Sequence, residues 1–412
     1  MDKKHLRRKH YTVLAKREII NFLDFLHIKN ILRRSVEGNT PAFKETLEID
    51  ESNKSVIVLP NIPWNYRWQR PQQIFSRLAK KGINIFYISP ITTDKEYLSK
   101  IENNIYEVHL KTRTEGNVLR DFHLNPDNEN DFVESMKRLL GKYLKKESWL
   151  FVLHPVWKNI AFRIEKVKRI YDLMDLYSGF ENAKKSIIEG EEELISNSDI
   201  VLATAQDLYE HAKVKNKKTY LVRNGCDFDV FSNLAKNGSL DGLEERPIIG
   251  YFGAITQWFD VKTLEYVIKK NKDKYFVFLG SVDTRNVRRL YKYSNVYFLG
   301  EVRHSDLPGY LAYFDICIIP YVLNDLILST NPVKFYEYVA SGKPVISADL
   351  PELRQYSDIC YLYKDEEEFN TYIPKAINEK DVNLSQKRVK IAQENGWDER
   401  VKVIYNIMEK NK

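Results

Sequence analysis

Ser329-Thr-Asn-Pro-Val-Lys-Phe-Tyr-Glu-Tyr-Val-Ala-Ser-Gly-Lys-Pro-Val345 reads as a short helix, marked at both ends, that leads directly into a strand. Asn331 is placed to N-cap it, Pro332 suits the first helical position where its missing N–H costs nothing, and Gly342 can end it in a left-handed conformation. Pro344 and Val345 then open the strand. A helix N-terminus presents unpaired N–H groups and a partial positive charge, so Thr330 to Lys334 could receive a phosphate, with the Lys334 ammonium adding full charge. Glu337 lies one turn on, where its two oxygens could accept from neighbouring hydroxyls such as those of a ribose. The competing reading is an ordinary exposed Lys334–Glu337 pair, although Lys on the N-terminal side of Glu is the weaker orientation.

Outward from this stretch the chain alternates strands and helices. Towards the N-terminus lie Ile316–Pro320, a helix near 305–313, Val296–Leu299, Tyr275–Leu279, a helix near 260–270 and the strand Pro247–Phe252. A polar, glycine-containing segment, Asn233–Arg246, precedes them and reads as the interdomain linker. Before it stand apolar strands at Ser55–Leu59, Ile83–Ile88, Ile105–Leu110, Trp149–Leu153, Arg169–Met174, Asp199–Thr204 and Thr219–Val222. Helical spacing separates them at about Pro71–Lys81, 131–145, 180–194 and 205–214. Such alternation predicts parallel sheets with right-handed crossovers. At 412 residues, two α/β domains of about 200 residues each are expected. Two doubly wound domains would bring the carboxyl ends of both sheets to one cleft, where ligands bind in this architecture.

The charge balance is modest, with 64 basic against 57 acidic residues. Residues 1–35 hold ten Lys/Arg against three acids, which leaves the remainder nearly neutral. Leu14, Ile19, Phe22, Leu23, Leu26 and Ile31 fall at mostly helical spacing there. An amphipathic helix on an anionic membrane and a helix packed on the protein's own core fit this pattern equally. Three scattered cysteines, Cys226, Cys317 and Cys360, argue against a disulfide framework or a zinc ribbon. No apolar run reaches the length of a membrane span, and a cytoplasmic protein is expected, peripheral on the membrane if the basic segment binds lipid. The sequence has no His-Glu-x-x-His, Walker loop or Gly-x-Ser-x-Gly, and no recognisable nucleic-acid module.

Several stretches together carry a resemblance: Arg223-Asn-Gly-Cys-Asp-Phe-Asp-Val-Phe231, Gly250-Tyr-Phe-Gly-Ala-Ile255, Phe298-Leu-Gly-Glu-Val302, Asp315-Ile-Cys-Ile-Ile-Pro320 and the opening helix. The chain resembles glycosyltransferases of family 4, of the two-domain GT-B fold, over roughly residues 55–410. Trp397-Asp-Glu-Arg400 is similar to the family's last helix, which crosses back onto the first domain. Pro63-Trp-Asn-Tyr-Arg-Trp-Gln-Arg-Pro-Gln-Gln73 and Trp258-Phe-Asp260 are similar to bacterial enzymes that build teichuronic acid and related cell-surface polysaccharides. The division that follows is a basic extension at 1–50, a first Rossmann-like domain at 51–240 joined by a helix at 398–411, and a donor domain at 241–397.

The resemblance implies a nucleotide-sugar donor, UDP-linked, and a lipid-linked saccharide acceptor, with retention, no bound metal and no other cofactor. By position, Glu337 would bind ribose and Lys334 would meet the departing diphosphate. Thr330 and Asn331 would lie along that diphosphate. Gly300, Glu301 and Val302 would hold the base through their backbone, and Gly253 would end the first strand of the donor domain. His154 sits where many relatives have a histidine near the transferred sugar, although a lone histidine after a strand is often structural.

The departures are specific. Many relatives carry a second glutamate where Ser329 stands, and an Arg and a Lys after the first strand of the donor domain, where this chain offers only the displaced Lys262. A glycine-rich loop after the first strand is replaced by Trp64, Tyr66, Arg67, Trp68 and Arg70. These would either wall the cleft on the acceptor side or fill the domain interface. Asp172 and Asp175 flank a strand end near the cleft. Two other functions share the fold, a sugar-nucleotide 2-epimerase and a catalytically idle nucleotide-sugar-binding partner, and fold alone does not separate them.

Overall fold

The computed structural model describes residues 47–121, 125–144, 148–181 and 183–411. The basic segment 1–35, read above as membrane-binding or core-packed, lies outside them.

The first sheet contains Ser55–Leu59 (β1), Asn84–Ile88 (β2), Tyr97–Glu102 (β3), Ile105–His109 (β4), Ser148–Val152 (β5), Val167–Leu173 (β6), Ile200–Ala203 (β7) and Thr219–Leu221 (β8). Their order is β8-β7-β6-β5-β1-β2-β4-β3. Every neighbouring pair is parallel except β3 with β4. β3 is the one strand here outside the expected set. Its residues are half-exposed at the sheet edge, so it lacks the apolar run that betrays a buried strand. A turn through Asn103 and Asn104, the latter left-handed at φ 61°, returns the chain into β4.

β1 is buried on both faces, and residue parity decides which face. Ile57 and Leu59 join Phe86, Leu150, Val152 and Tyr171 under the helices Pro126–Leu140 and Lys185–Asn197. Val56 and Val58 join Ile85, Tyr87, Phe151 and Ile170 on the opposite face. That face is covered by the helix Arg70–Ala79 and by the last helix, Trp397–Lys410, through Trp397, Val401 and Ile404.

The second sheet contains Ile248–Phe252 (β9), Tyr275–Leu279 (β10), Val296–Phe298 (β11), Ile316–Ile319 (β12), Val345–Ala348 (β13) and Tyr361–Tyr363 (β14). All are parallel, in the order β11-β10-β9-β12-β13-β14. In both sheets the first strand is central and the order reverses beside it, between β1 and β5 and between β9 and β12. The carboxyl ends of those strands are therefore the crevices where a ligand fits.

The chain passes between the domains twice, and the two passages lie side by side. The Cys226 N–H donates to the Asn395 carbonyl at 3.3 Å, and the Trp397 N–H donates to the Cys226 carbonyl at 3.0 Å. Gly225 is needed there, because a Cβ would stand 2.5 Å from the Asn395 oxygen. Cys226, Phe231, Leu240 and Leu243 already pack in the second core. The polar segment 233–246 thus follows the crossing instead of making it.

Candidate functional site

The helix that opens the site spans Val333–Ala340, and Pro332 occupies its N-cap with no side-chain bond to the first turn. Asn331 was expected at that cap. It is 2% exposed, and its polar atoms are committed elsewhere. Oδ1 accepts from the Asn224 N–H at 2.9 Å, and Nδ2 donates to the Tyr336 hydroxyl at 3.0 Å and to Glu352 at 2.9 Å. Its carbonyl accepts from Asn224 Nδ2 at 2.7 Å. An unpaired buried amide would cost about 1–3 kcal/mol, so these partners outweigh a solvent-facing cap. The Thr330 hydroxyl donates to the Leu326 carbonyl at 2.7 Å, and Ser329 donates to Asp207 of the first domain. Gly342, at φ 72°, ends the helix.

Lys334 and Glu337 do not pair with each other. The Lys334 ammonium donates to the Tyr321 hydroxyl and lies 4.9 Å and 5.4 Å from the ring centres of Tyr321 and Tyr251. It reaches the end of β9, where a Cβ on Gly253 would stand 2.9 Å from Lys334 Cε. Glu337 is 7% exposed, and its Oε1 lies 3.3 Å from His304 Nε2. His304 follows the strand end that carries Gly300, exposed Glu301 and half-buried Val302. Burial works against the imidazolium of His304, but the bond to Glu337 and the nearby Asp227 outweigh it and raise its pKa. Lys262 is exposed on the helix Val261–Lys270, which is capped by Asp260 accepting from the Thr263 N–H at 3.0 Å.

Three adjacent strands of the second sheet, β9, β10 and β11, run into glycines with positive φ, Gly253 (136°), Gly280 (139°) and Gly300 (74°). The Gly253 N–H donates to the Leu279 carbonyl at 2.9 Å, and the Gly280 N–H donates to the Gly300 carbonyl at 2.8 Å. A Cβ on Gly280 would fall inside van der Waals contact of the Gly253 oxygen. The carboxyl edge of the sheet is consequently bare backbone, which lets a ligand approach closely. Gly280 was absent from the expected site. Its signal was available, since Leu279 passes directly into glycine as Phe252 and Leu299 do.

Across from this edge, the five residues expected to wall the cleft divide. Tyr66 and Trp68 are 56% and 38% exposed. Arg67 forks onto Glu301 at 2.6 and 3.3 Å and donates to the Ser281 hydroxyl at 3.1 Å, so it bridges the two domains. Trp64, 4% exposed, instead packs edge-on against Tyr87 at 5.1 Å. Arg70 is buried as well. It binds both Asp172 oxygens at 2.9 and 2.8 Å and reaches the Arg223 carbonyl and Asn224 at the crossing. Neither of these two side chains walls the cleft, because each is a core or hinge group.

Glu352, 3% exposed, is a further hinge residue that local sequence signals do not reveal. It accepts from the Gln206 N–H at 2.7 Å, from Arg223 at 2.7 Å and from Asn331. His154 ends the loop after β5. Its Nδ1 accepts from the Val156 N–H at 3.1 Å and its ring stands edge-on to Tyr177 at 4.8 Å. Burial lowers its pKa to about 4, so the ring is neutral at neutral pH with the proton on Nε2. Nearby, burial reinforced by the Asp172 charge raises Asp175 to about 6, and burial raises Glu191 to about 8. Among the described residues no group of three or more His, Cys, Asp or Glu side chains is arranged to hold a metal ion. No helix among them is long and apolar enough to cross a membrane.

Residues 246–379 match the family described as Glycosyl transferases group 1. Over 200 residues the chain is 27% identical to a Bacillus subtilis (strain 168) protein named as a teichuronic acid biosynthesis glycosyltransferase, TuaH. That match covers 44% of this chain and 50% of the relative, so the chain spans about half the length of the curated relative it matches. Sucrose-phosphate synthase from Thermosynechococcus elongatus superposes with a TM-score of 0.68 at 14% identity, covering 87% of this chain and 98% of that one. Anabaena HepE, solved in complex with UDP and glucose, superposes at 0.61 with 13% identity, covering 87% and 99%. The architecture is the GT-B fold, two Rossmann-like domains facing across a cleft.

Proposed function

We propose that this chain is a glycosyltransferase that moves a sugar from a UDP-linked donor to a growing, lipid-linked cell-surface saccharide, with retention at the anomeric carbon. The observation that carries the reading is the placement of Lys334, Glu337 and the glycine row along the carboxyl ends of β9 to β12, in the domain that matches a glycosyltransferase family. The donor nucleotide lies along the bare edge of β9 to β11, with Glu337 accepting from ribose hydroxyls. Negative charge builds on the diphosphate as the glycosidic bond breaks, and the Lys334 ammonium, held by Tyr321, meets it without solvent reorganisation. Asn331 and Thr330 act through the backbone they hold, since their side chains are already bonded. Tyr66 and Trp68 offer stacking surface to the acceptor, and Arg67, tied to Glu301, holds that wall against the second domain. His154, neutral at neutral pH, is the candidate on the first domain for contact with the transferred sugar. No metal is invoked.

Glu337→Gln tests the reading, because it keeps size and helix propensity but removes the charge that strengthens bonds to ribose. Donor affinity should fall by about 1–3 kcal/mol when measured calorimetrically against UDP-sugars. Unchanged affinity overturns the ribose assignment. UDP release only on adding a lipid-linked acceptor supports transfer. A sugar nucleotide altered without any acceptor would make the protein an epimerase.

We read the basic segment 1–35 as a contact with the cytoplasmic face of the membrane, a reading supported by its ten Lys/Arg and apolar spacing. Full-length protein should bind anionic liposomes at low salt and detach as salt rises, and a chain lacking residues 1–35 should not bind. Indifference of the full-length protein to such liposomes removes the membrane role.

A further inference from the structure

We propose that His304 is a positioning residue for Glu337 that makes donor binding weaken as pH rises, an inference that rests on the donor-site reading above. The geometry has two parts. His304 Nε2 lies 3.3 Å from Glu337 Oε1, and among the described residues nothing donates to Oε2, which stays available to vicinal hydroxyls. Phe231, fully buried, stands edge-on to the imidazole at 5.3 Å and limits its rotation. His304 also ties the loop carrying Gly300 and Glu301 to the helix that starts beside Lys334, so one bond links the two elements assigned to base, ribose and phosphate.

The charges around this pair set the sign. From the helix come Glu337 and Tyr338, whose hydroxyl accepts from the Phe252 N–H at 2.9 Å. From the domain crossing come Asp227, which is paired with Arg77 at 3.5 Å, and the Cys226 thiol, which burial keeps protonated. From the last helix comes Arg400, bonded to the Asn224 carbonyl at 3.0 Å. Arg303 and Asp306, on the same loop as His304, are paired with each other at 3.0 Å. The imidazolium thus balances the Glu337 carboxylate, with Asp227 adding to its stabilisation. When His304 loses its proton, Glu337 becomes an unbalanced anion beside the place of an anionic diphosphate, and its carboxylate loses a charge-assisted bond. A donor that binds better to the protonated form must draw a proton onto the protein as it binds, by reciprocity of linked equilibria.

Isothermal titration of the full-length protein with UDP-glucose, whose diphosphate does not titrate near neutrality, reads both effects. Between pH 6 and pH 8.5 the dissociation constant should rise roughly fivefold to tenfold. Near the midpoint, comparison of buffers with different ionisation enthalpies should show fractional proton uptake. His304→Gln retains an N–H donor without the charge; it should bind with the weaker, high-pH affinity at every pH and take up no proton. A flat profile, or proton uptake that persists unchanged in His304→Gln, overturns the proposal. The unaltered protein alone gives the profile and the uptake, so a variant that fails to fold does not close the test. UDP-glucose binding that is sensitive to Glu337→Gln but indifferent to His304→Gln sinks this inference and leaves the donor site standing. Absence of binding at every pH, or binding indifferent to both substitutions, overturns both.

Discussion

Replacing Asp172 by Ala should cost about 3–5 kcal/mol of unfolding free energy, because it strands the Arg70 guanidinium in the interior. The two side chains are 5% and 2% exposed and meet through two short bonds, so neither has water to turn to. Arg70 also reaches the Arg223 carbonyl and Asn224, hence the loss spreads to the domain crossing. Asp172→Asn, which keeps one acceptor, should cost less. The double replacement Arg70→Met with Asp172→Leu should recover most of the stability, since apolar groups of similar volume often replace a buried ion pair without loss. Urea denaturation of the unaltered protein and these three variants reads the differences. A loss below about 1 kcal/mol in Asp172→Ala would mean that the pair is solvated and the hinge is held by other bonds.

Lys334→Met should lower turnover by roughly 10²–10³-fold while donor affinity changes far less, because the ammonium acts chiefly on charge that develops in the transition state. An exposed Lys–Glu pair would add almost nothing to the resting fold. The observed placement between Tyr251 and Tyr321 adds a cation–π contribution instead, about 1 kcal/mol, so the melting temperature should fall slightly. Single-turnover rates and donor titrations on both proteins separate the terms. Equal losses in turnover and affinity would assign Lys334 to ground-state binding, and unchanged turnover would remove it from the chemistry.

The strands were legible wherever they are buried on both faces, because a continuous apolar run between turn signals has few other meanings. Val56 to Leu59 and Tyr275 to Leu279 are of that kind. Half-exposed Tyr97–Glu102 gave no such run. The site helix was legible from Pro332 and Gly342 at its ends, but its cap was misplaced, since the fate of Asn331 is settled by Asn224, 107 residues away. Likewise Arg70 looks like a cleft cation until Asp172, 102 residues on, is seen to hold it. Local pattern carries no information about such pairings. His304 is harder still: its meaning comes from Glu337 on another element, and nothing in Arg303-His304-Ser305 announces it.

The paired crossings at Gly225 and Gly396 make the second domain an insertion within the first. During synthesis, β1 to β8 therefore leave the ribosome long before the helix Trp397–Lys410 that covers one of their faces. The face that carries Val56 and Ile170 must wait with only the helix Arg70–Ala79 to cover it while some 170 residues of the inserted domain are made. The inserted domain can complete its own core first, and in doing so it brings Cys226 and Asn395 together and delivers the missing helix to its place. The first domain therefore receives its last covering helix only after the second domain has been made. Damage to the last turns of the chain would accordingly appear as a sticky, unfinished first domain beside a sound second one.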